Sequence, residues 1–328
     1  MIEVLHTGAL TTVQDQGRLG CLRWGVGTAG AMDRLALAAG NLLLGNDAQC
    51  AAIEVQVFPL RLRFAADTAF ALTGADGDAR LNGRPLLPWA AHAARAGEEL
   101  VLGLPRLGPH RGSRSYLSLP SGVDVPKVLG SRSTQMRGAF GGLDGRPLRA
   151  GDVLRAAGPS EPWAALDLVP PDVALPLQVG GCRAVRVLPA AEWACYTEAS
   201  RAAFWAQPWK ITPQSDRYGY RLQGTQALEP LKALEMRSHG IVPGVIQVPP
   251  DGQPIIQMRD GQPTGGYPKF GTVIEADLWR LGQAPIGERI RFVETDWNGA
   301  LTALDELQAW LDEAARQVCL YRSLKGAA

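Results

Sequence analysis

The stretch MRDGQPTGGYPKFGTVI, residues 258–274, concentrates side chains that could handle a polar ligand. Gly261, Gly265, Gly266 and Gly271 surround Gln262, Thr264, Tyr267 and Lys269. Glycine at this density either lets backbone approach a ligand closely or supplies positive φ in tight turns. A long hairpin loop whose glycines only shape turns has the same signature, so the residue types leave both readings open. Gln262, Thr264 and Tyr267 bring hydrogen-bonding groups. Lys269 brings a compact charge directly after the Gly-Gly-Tyr-Pro turn.

Three further clusters carry candidate chemistry. TVQDQGRLG, residues 12–20, places Gln14, Asp15, Gln16 and Arg18 around Gly17. WGVGTAGAMD, residues 24–33, runs a Gly-rich loop into a predicted helix at Asp33. Amides at a helix start favour an anion, and an acidic residue there also suits the dipole by itself. Asp15 and Asp33 are thus the first carboxylates to consider for acid/base work, with Lys269 as the catalytic cation. In residues 129–152, Ser131, Arg132, Ser133 and Thr134 form a dense donor set, followed by Arg137 and Arg146. Such a set grips a carboxylate or phosphate, or closes a hydrogen-bonded turn. SDRYGYRL, residues 215–222, puts Arg217 and Arg221 at period-two spacing, on one face of a predicted strand with Tyr218 between. The proposed substrate contacts are Gln14, Arg18, Ser131, Arg132, Arg217, Tyr218, Gln247, Gln262, Thr264, Gly265, Gly266 and Tyr267.

Several chemistries have no motif here. GxxxxGK[ST], GxSxG and a strand-led GxGxxG are missing from the sequence. Five cysteines include no CxxC pair, and four histidines, His6, His92, His110 and His239, are scattered without HExxH. No metal site and no disulfide framework is expected, which fits a reducing, cytoplasmic setting. A net charge of +1 speaks against a nucleic-acid partner. No apolar run is long enough to cross a membrane. The first residues also lack a basic stretch followed by an apolar core.

The elements that must position these residues read as short strands broken by Gly and Pro. Strands are expected at 3–8, 52–64, 68–74, 115–120, 175–180, 183–189, 218–224, 244–250 and 289–295. Helices are expected at 31–45, 189–206 and 300–318. The last presents Leu301, Leu304, Leu307, Leu311 and Ala314 as its core-facing stripe. Prolines crowd residues 156–176, which divides the chain into a β-rich lobe at 1–160, a connection at 161–176 and a second lobe at 177–320. The class is mainly β, a sandwich or barrel rather than βαβ units.

The blocks VQDQGR, GVGTAGAMDRLALAAGNLLLGN, LTGAD, LGSRST, the GG–GR–GD run, RYGYRL, GIVPGVIQVPPDGQPI and QPTGGYPK occur in this order over nearly the whole chain. Together they resemble the C subunit of 5-oxoprolinase, also known as allophanate hydrolase subunit 2, of the biotin-dependent carboxyltransferase family. The resemblance implies a cyclophilin-like β-barrel architecture in two lobes with a few covering helices. It implies similarity to one half of the urea carboxylase carboxyltransferase domain, the other half corresponding to the B subunit of 5-oxoprolinase. The expected partners are the B subunit, directly, and the A subunit. The expected activity is ATP-dependent opening of 5-oxo-L-proline to L-glutamate, with ATP and Mg acting at the level of the complex and the chain inactive alone. A lactam is a poor electrophile, and phosphorylating its oxygen creates a leaving group. Two departures stand out. Ser238-His239-Gly240 replaces an element that often carries an acidic residue, and Asp260-Gly261-Gln262-Pro263-Thr264 alters the approach to the Gly-Gly pair. No biotin-attachment MKM occurs, so covalent biotin is not expected. Two other readings stay open: a carboxyltransferase component using carboxybiotin on a separate carrier, and a regulatory protein that antagonises a kinase inhibitor by binding it.

Overall fold

The computed structural model describes residues 1–105, 112–160 and 166–326, the last three as helix backbone. His110 and residues 161–165 of the Pro-rich connection lie outside the described residues. The chain forms two compact units. One comprises Met1–Arg18, Ala29–Leu175 and Gln308–Ala328; the other comprises Leu19–Thr28 and Pro176–Leu307. Five α-helices occur among the described residues: α1 (Arg34–Leu43), α2 (Pro171–Ala174), α3 (Glu198–Ala206), α4 (Leu278–Gln283) and α5 (Trp297–Gly326). The rest of the regular structure is mainly β, as the turn-rich sequence requires. No helix among the described residues is long and apolar enough to cross a membrane.

The first unit holds two six-stranded sheets. One runs Val153–Leu154, Ile2–His6, Leu60–Phe64, Glu99–Leu102, Arg80–Leu81, Arg84–Pro85. The other runs Leu166–Asp167, Ala90–Ala94, Thr68–Gly74, Ser115–Ser118, Ala52–Val55, Thr12–Gln14. Strand Leu60–Phe64 shows why they pack. Leu60, Leu62 and Phe64 are buried, while Arg61 and Arg63 face out and pair with Glu99 at 3.0 and 2.8 Å. Its buried side joins Ile2, Val4, Val13, Ile53, Phe70, Leu72 and Leu117 in one core. Helix α1 packs on the second sheet through small residues, with Ala36, Leu37, Ala39 and Leu43 against Ala69, Ala71, Ala91 and Tyr116. The approach is close. A Cβ added at Gly40 would lie 2.8 Å from Ser118 Oγ.

In the second unit, seven strands close into a barrel. Their order is Cys182–Pro189, Lys269–Val273, Val245–Gln247, Ile255–Gln257, Gly219–Gln223, Trp209–Ile211, Arg289–Glu294. A parallel pairing of the first with the last, from Arg183↔Ile290 to Val187↔Glu294, completes the ring. Phe204 stacks on Phe292 at 4.5 Å and packs with Phe270 at 4.6 Å, so α3 is fastened to two barrel strands by aromatic contact.

Three sequence expectations are corrected. The helix expected at 189–206 is instead strand end, 3-10 turn and α3. Pro189 closes a strand, and Thr197 adopts extended geometry and caps α3, its hydroxyl accepting from Ser200 N at 3.2 Å. Arg217 and Arg221 do not share a strand face. Arg217 precedes strand Gly219–Gln223 and is buried, whereas Arg221 is exposed. On α5 the expected Ala314 is buried, but its companions in the buried line are Ala300, Ala303 and Val318, while Leu301 and Leu304 are 46% and 38% exposed. Both series obey helical spacing. The small residues win because they let the helix axis come close, Ala300 and Ala303 packing on Ile274 and Ala276.

Candidate functional site

The structure gathers the sequence-predicted residues into two groups, one in each unit. In the first, strand Thr12–Gln14 carries Gln14 into a turn at Asp15. Of the donors at residues 131–134, which read as a grip for a carboxylate, those of 131–133 grip the chain's own Asp15, while Thr134 Oγ1 donates to Val13 O at 3.0 Å. Asp15 Oδ1 accepts from Ser131 Oγ at 2.6 Å, Ser133 Oγ at 2.5 Å and Gly17 N at 2.8 Å, and its Oδ2 accepts from Arg132 N at 2.5 Å. Gln14 Oε1 accepts from Gly30 N at 3.1 Å, and its Nε2 donates to Thr12 Oγ1 at 2.9 Å. Arg18 is buried, donates to the carbonyls of Val128 and Ser133, and sits over the Phe140 ring at 4.8 Å. Arg132 sends its Nε to Val125 O at 2.8 Å. Asp15 therefore welds two segments distant in sequence. Asp15→Ala should leave two buried hydroxyls and two partly buried amides without their acceptor and lower the unfolding free energy by about 2–3 kcal/mol. Chemical denaturation measures this, and a loss below about 0.5 kcal/mol would remove the welding role.

Asp33 also has a structural post. It is fully buried and is the N-cap of α1, its Oδ1 accepting from Ala36 N at 2.8 Å. The anion that the helix start favours is thus the chain's own carboxylate, and the acid/base role suggested by the sequence gains nothing from this placement. Asp33 N donates to Tyr116 Oη at 2.8 Å, and that hydroxyl donates to Glu54 at 2.7 Å. Met32 N donates to the same Glu54 oxygen at 2.8 Å, and Arg114 lies 3.9 Å from the other. Burial, and then the Glu54 charge, push Tyr116 well above its ordinary pKa, so it remains a donor. Sequence reading missed Glu54, Tyr116 and Arg114, because a charged pair inside an apolar strand run has no local signal.

The second group centres on the Gly-rich stretch. Neither Gly261 nor Gly265 has positive φ. Each is glycine because of what a Cβ would strike: Gln257 Nε2 at 2.1 Å for Gly261, Gln247 Nε2 at 2.5 Å for Gly265. At these two positions the close neighbours are the protein's own amide side chains. Gln257 Nε2 donates to Gln262 O at 2.6 Å, and Gln247 Nε2 to Tyr267 O at 3.3 Å, so two buried glutamines hold the loop backbone. Gln262 and Thr264 are exposed, Gly266 is half-buried, and Tyr267 is 45% exposed. Strand Thr264–Gly265 pairs with His239–Gly240.

Arg217 binds Asp260 through both carboxylate oxygens, at 2.8 and 2.9 Å, with both side chains buried. Tyr218 O accepts from Met258 N at 2.9 Å, tying the same two segments through backbone. Lys269 is the register partner of Gln247 and pairs with Glu192 at 3.5 Å, with the lysine side chain 25% exposed. Sequence reading also missed Asp260, Gln257 and Glu192. Asp260 lies inside the Gly-rich block, but nothing in the block says which cation it meets. Among the described residues, no group of three His, Cys, Asp or Glu side chains is arranged to hold a metal ion.

Residues 24–294 match the family model of the carboxyltransferase domain, subdomain A and B. The chain is 41% identical over 315 residues to the C subunit of 5-oxoprolinase from Escherichia coli K12, covering 96% of this chain and 98% of that one. It is 39% identical to the C subunit of 5-oxoprolinase from Haemophilus influenzae, covering 97% and 99%. Among solved structures, the Kluyveromyces lactis urea carboxylase superposes with a TM-score of 0.85 at 29% identity. That match takes in 95% of this chain and only 29% of the longer enzyme.

Proposed function

The chain belongs to the family of the carboxyltransferase domain, subdomain A and B, and on that premise we propose that it is the C subunit of an ATP-dependent 5-oxoprolinase. One observation carries the reading: identity of 41% that runs through 98% of a relative bearing that name. The complex, with the B subunit in direct contact and the A subunit completing it, opens 5-oxo-L-proline to L-glutamate in the cytoplasm. ATP, bound with Mg at the level of the complex, would supply the phosphoryl group that turns a lactam oxygen into a leaving group.

Three donor clusters that the sequence offers to an anion are engaged within the chain. The Ala36 amide of α1 is taken by Asp33, the donors of residues 131–133 by Asp15, and the Arg217 fork by Asp260. What the chain does offer is the partly exposed Lys269 beside a glycine-lined backbone, placed by a barrel strand. Its ammonium would hold the carboxylate of the substrate, and the loop held by Gln247 and Gln257 would form the wall against which the ring lies.

The test is an assay of ATP-dependent 5-oxoproline hydrolysis with the purified chain, with the B and A subunits, and with all three together. The chain alone should show no turnover and the full set should. Robust turnover by the chain alone would overturn the proposed division of labour. A second reading rests on the likeness to urea carboxylase: a carboxyltransferase component that meets carboxybiotin on a separate carrier. Carboxylation of a small amide on addition of a biotinylated carrier, with no hydrolysis of 5-oxoproline, would favour it.

A further inference from the structure

The Gly-rich stretch is fastened at two points by buried side-chain amides. Gln257, at the end of strand Ile255–Gln257, donates its Nε2 to Gln262 O at 2.6 Å. Gln247, at the end of the neighbouring strand Val245–Gln247, donates its Nε2 to Tyr267 O at 3.3 Å. Each acceptor is a carbonyl, so it is the nitrogen of each amide that faces the loop. Both glutamines are 5% exposed. The side chains of Gln262, Thr264 and Tyr267 on the fastened backbone remain exposed. A loop that only joined two strands would need no such anchors, since a buried primary amide brings polar groups that must all be satisfied.

Each anchor also dictates a glycine. A Cβ at Gly261 would lie 2.3 Å from Gln257 Cδ as well as striking its Nε2, and one at Gly265 would meet both polar atoms of the Gln247 amide, at 2.5 and 3.1 Å. The second anchor is tied to Lys269. Where strand Val245–Gln247 pairs with Lys269–Val273, the register shifts between Ile246 and Gln247. Ile246 opposes Gly271 and Gln247 opposes Lys269, so Phe270 is skipped. A shift of this kind re-aims the side chain that follows it. Gln247 therefore lies across from Lys269 while its amide holds the carbonyl two residues before it.

We propose that Gln247 and Gln257 are positioning residues for the reaction at this site. Gln257 fixes the start of the loop at Gln262, and Gln247 fixes its end at Tyr267 and with it the approach to Lys269. The inference rests on the proposed 5-oxoprolinase reading and deepens it. The sequence offers Gln247 as a substrate contact, whereas in the structure its Nε2 is given to the loop. Polar side chains on a loop are placed precisely only when a buried layer holds its backbone, and an error of about 1 Å can cost roughly 100-fold in rate.

The experiment uses the reconstituted complex and 5-oxoproline, at a temperature where circular dichroism shows every variant folded. It reads kcat/KM, Tm and hydrogen exchange over residues 258–269. Gln257→Met and Gln247→Met keep side-chain length and remove the donor. Each should lower kcat/KM about 10- to 100-fold and speed exchange over the loop, with Tm falling by no more than about 4 °C. An amide with a purely structural role would move Tm and leave kcat/KM of the folded complex unchanged, and that result overturns the inference. Gly261→Ala should match Gln257→Met, because the added methyl drives the amide off Gln262 O. Gly261→Ala combined with Gln257→Ala, which removes the clash, should cost no more than Gln257→Ala alone. Losses that multiply would show the glycine acting apart from the amide and would overturn the anchoring. In a Lys269→Met background, Gln247→Met should cost less than about threefold, since the cation it positions is gone. A loss there as large as in the wild type would overturn the link to Lys269. A wild-type complex that turns over while both glutamine variants keep kcat/KM within about threefold overturns the inference alone. A wild-type complex without turnover overturns the 5-oxoprolinase reading and this inference with it.

Discussion

Replacing Arg217 by Ala should lower the unfolding free energy by about 3–5 kcal/mol, the range for removing one partner of a buried ion pair. The guanidinium and the Asp260 carboxylate meet at 2.8 and 2.9 Å in a two-pronged contact, with side-chain exposures of 3% and 1%. Arg217→Ala leaves Asp260 charged, buried and short of two donors. The sequence presents Arg217 as a clamp for an anionic ligand, and in the structure the anion it clamps is internal. Urea denaturation followed by circular dichroism measures the loss. A value below about 1 kcal/mol would show the pair to be dispensable. Pairing Arg217→Met with Asp260→Leu should recover a large part of the loss, because no charge is then left without its partner. If the double variant is as unstable as Arg217→Ala, the damage comes from lost packing rather than from the orphaned carboxylate.

Lys269→Ala should affect chemistry much more than folding. Its ion pair with Glu192 is long, at 3.5 Å, and both side chains keep some exposure, 25% and 15%, so its loss should cost less than that of the fully buried Arg217–Asp260 pair. A cation that holds an anionic substrate through the transition state contributes about 2–4 kcal/mol there, so the reconstituted complex should slow by roughly 30- to 1000-fold. Folding and assembly are checked first by thermal unfolding and gel filtration. A complex that assembles normally and turns over within about threefold of wild type would remove the charge role. Lys269→Arg distinguishes charge from shape. If a compact ammonium is required, the longer planar guanidinium should restore little.

Much of the architecture is legible in the residue string. Alternation such as Leu-Arg-Leu-Arg-Phe at 60–64 states which side of a strand is buried before any partner is known. The Gly and Pro punctuation marks a mainly β chain, and the order of motif blocks carries the family. The ends of helices are less clear, since Thr197 is as good a cap as Pro189 is a first-turn residue, and only packing chooses between them. The α5 stripe goes astray for a related reason. Two apolar series run along that helix at compatible spacing, and hydrophobicity alone ranks Leu above Ala, whereas close packing selects Ala.

The candidate site divides the same way. By itself the sequence determined which chemical groups are present and which lie near each other along the chain: the donors at 131–134, the glycines before Lys269, the carboxylates Asp15 and Asp33. Only the tertiary structure decided whom they meet. Ser131 reaches Asp15 across 116 positions and Arg217 reaches Asp260 across 43. In both cases a group suited to a ligand is occupied by a side chain of the protein itself. Glu192 and Lys269 became neighbours only when the Lys269–Val273 strand paired with Cys182–Pro189, which leads into the turn holding Glu192. Residue type is a local property, whereas electrostatic and hydrogen-bond satisfaction depends on distance in space. Long-range strand pairing sets that distance, and no window of the sequence contains both partners.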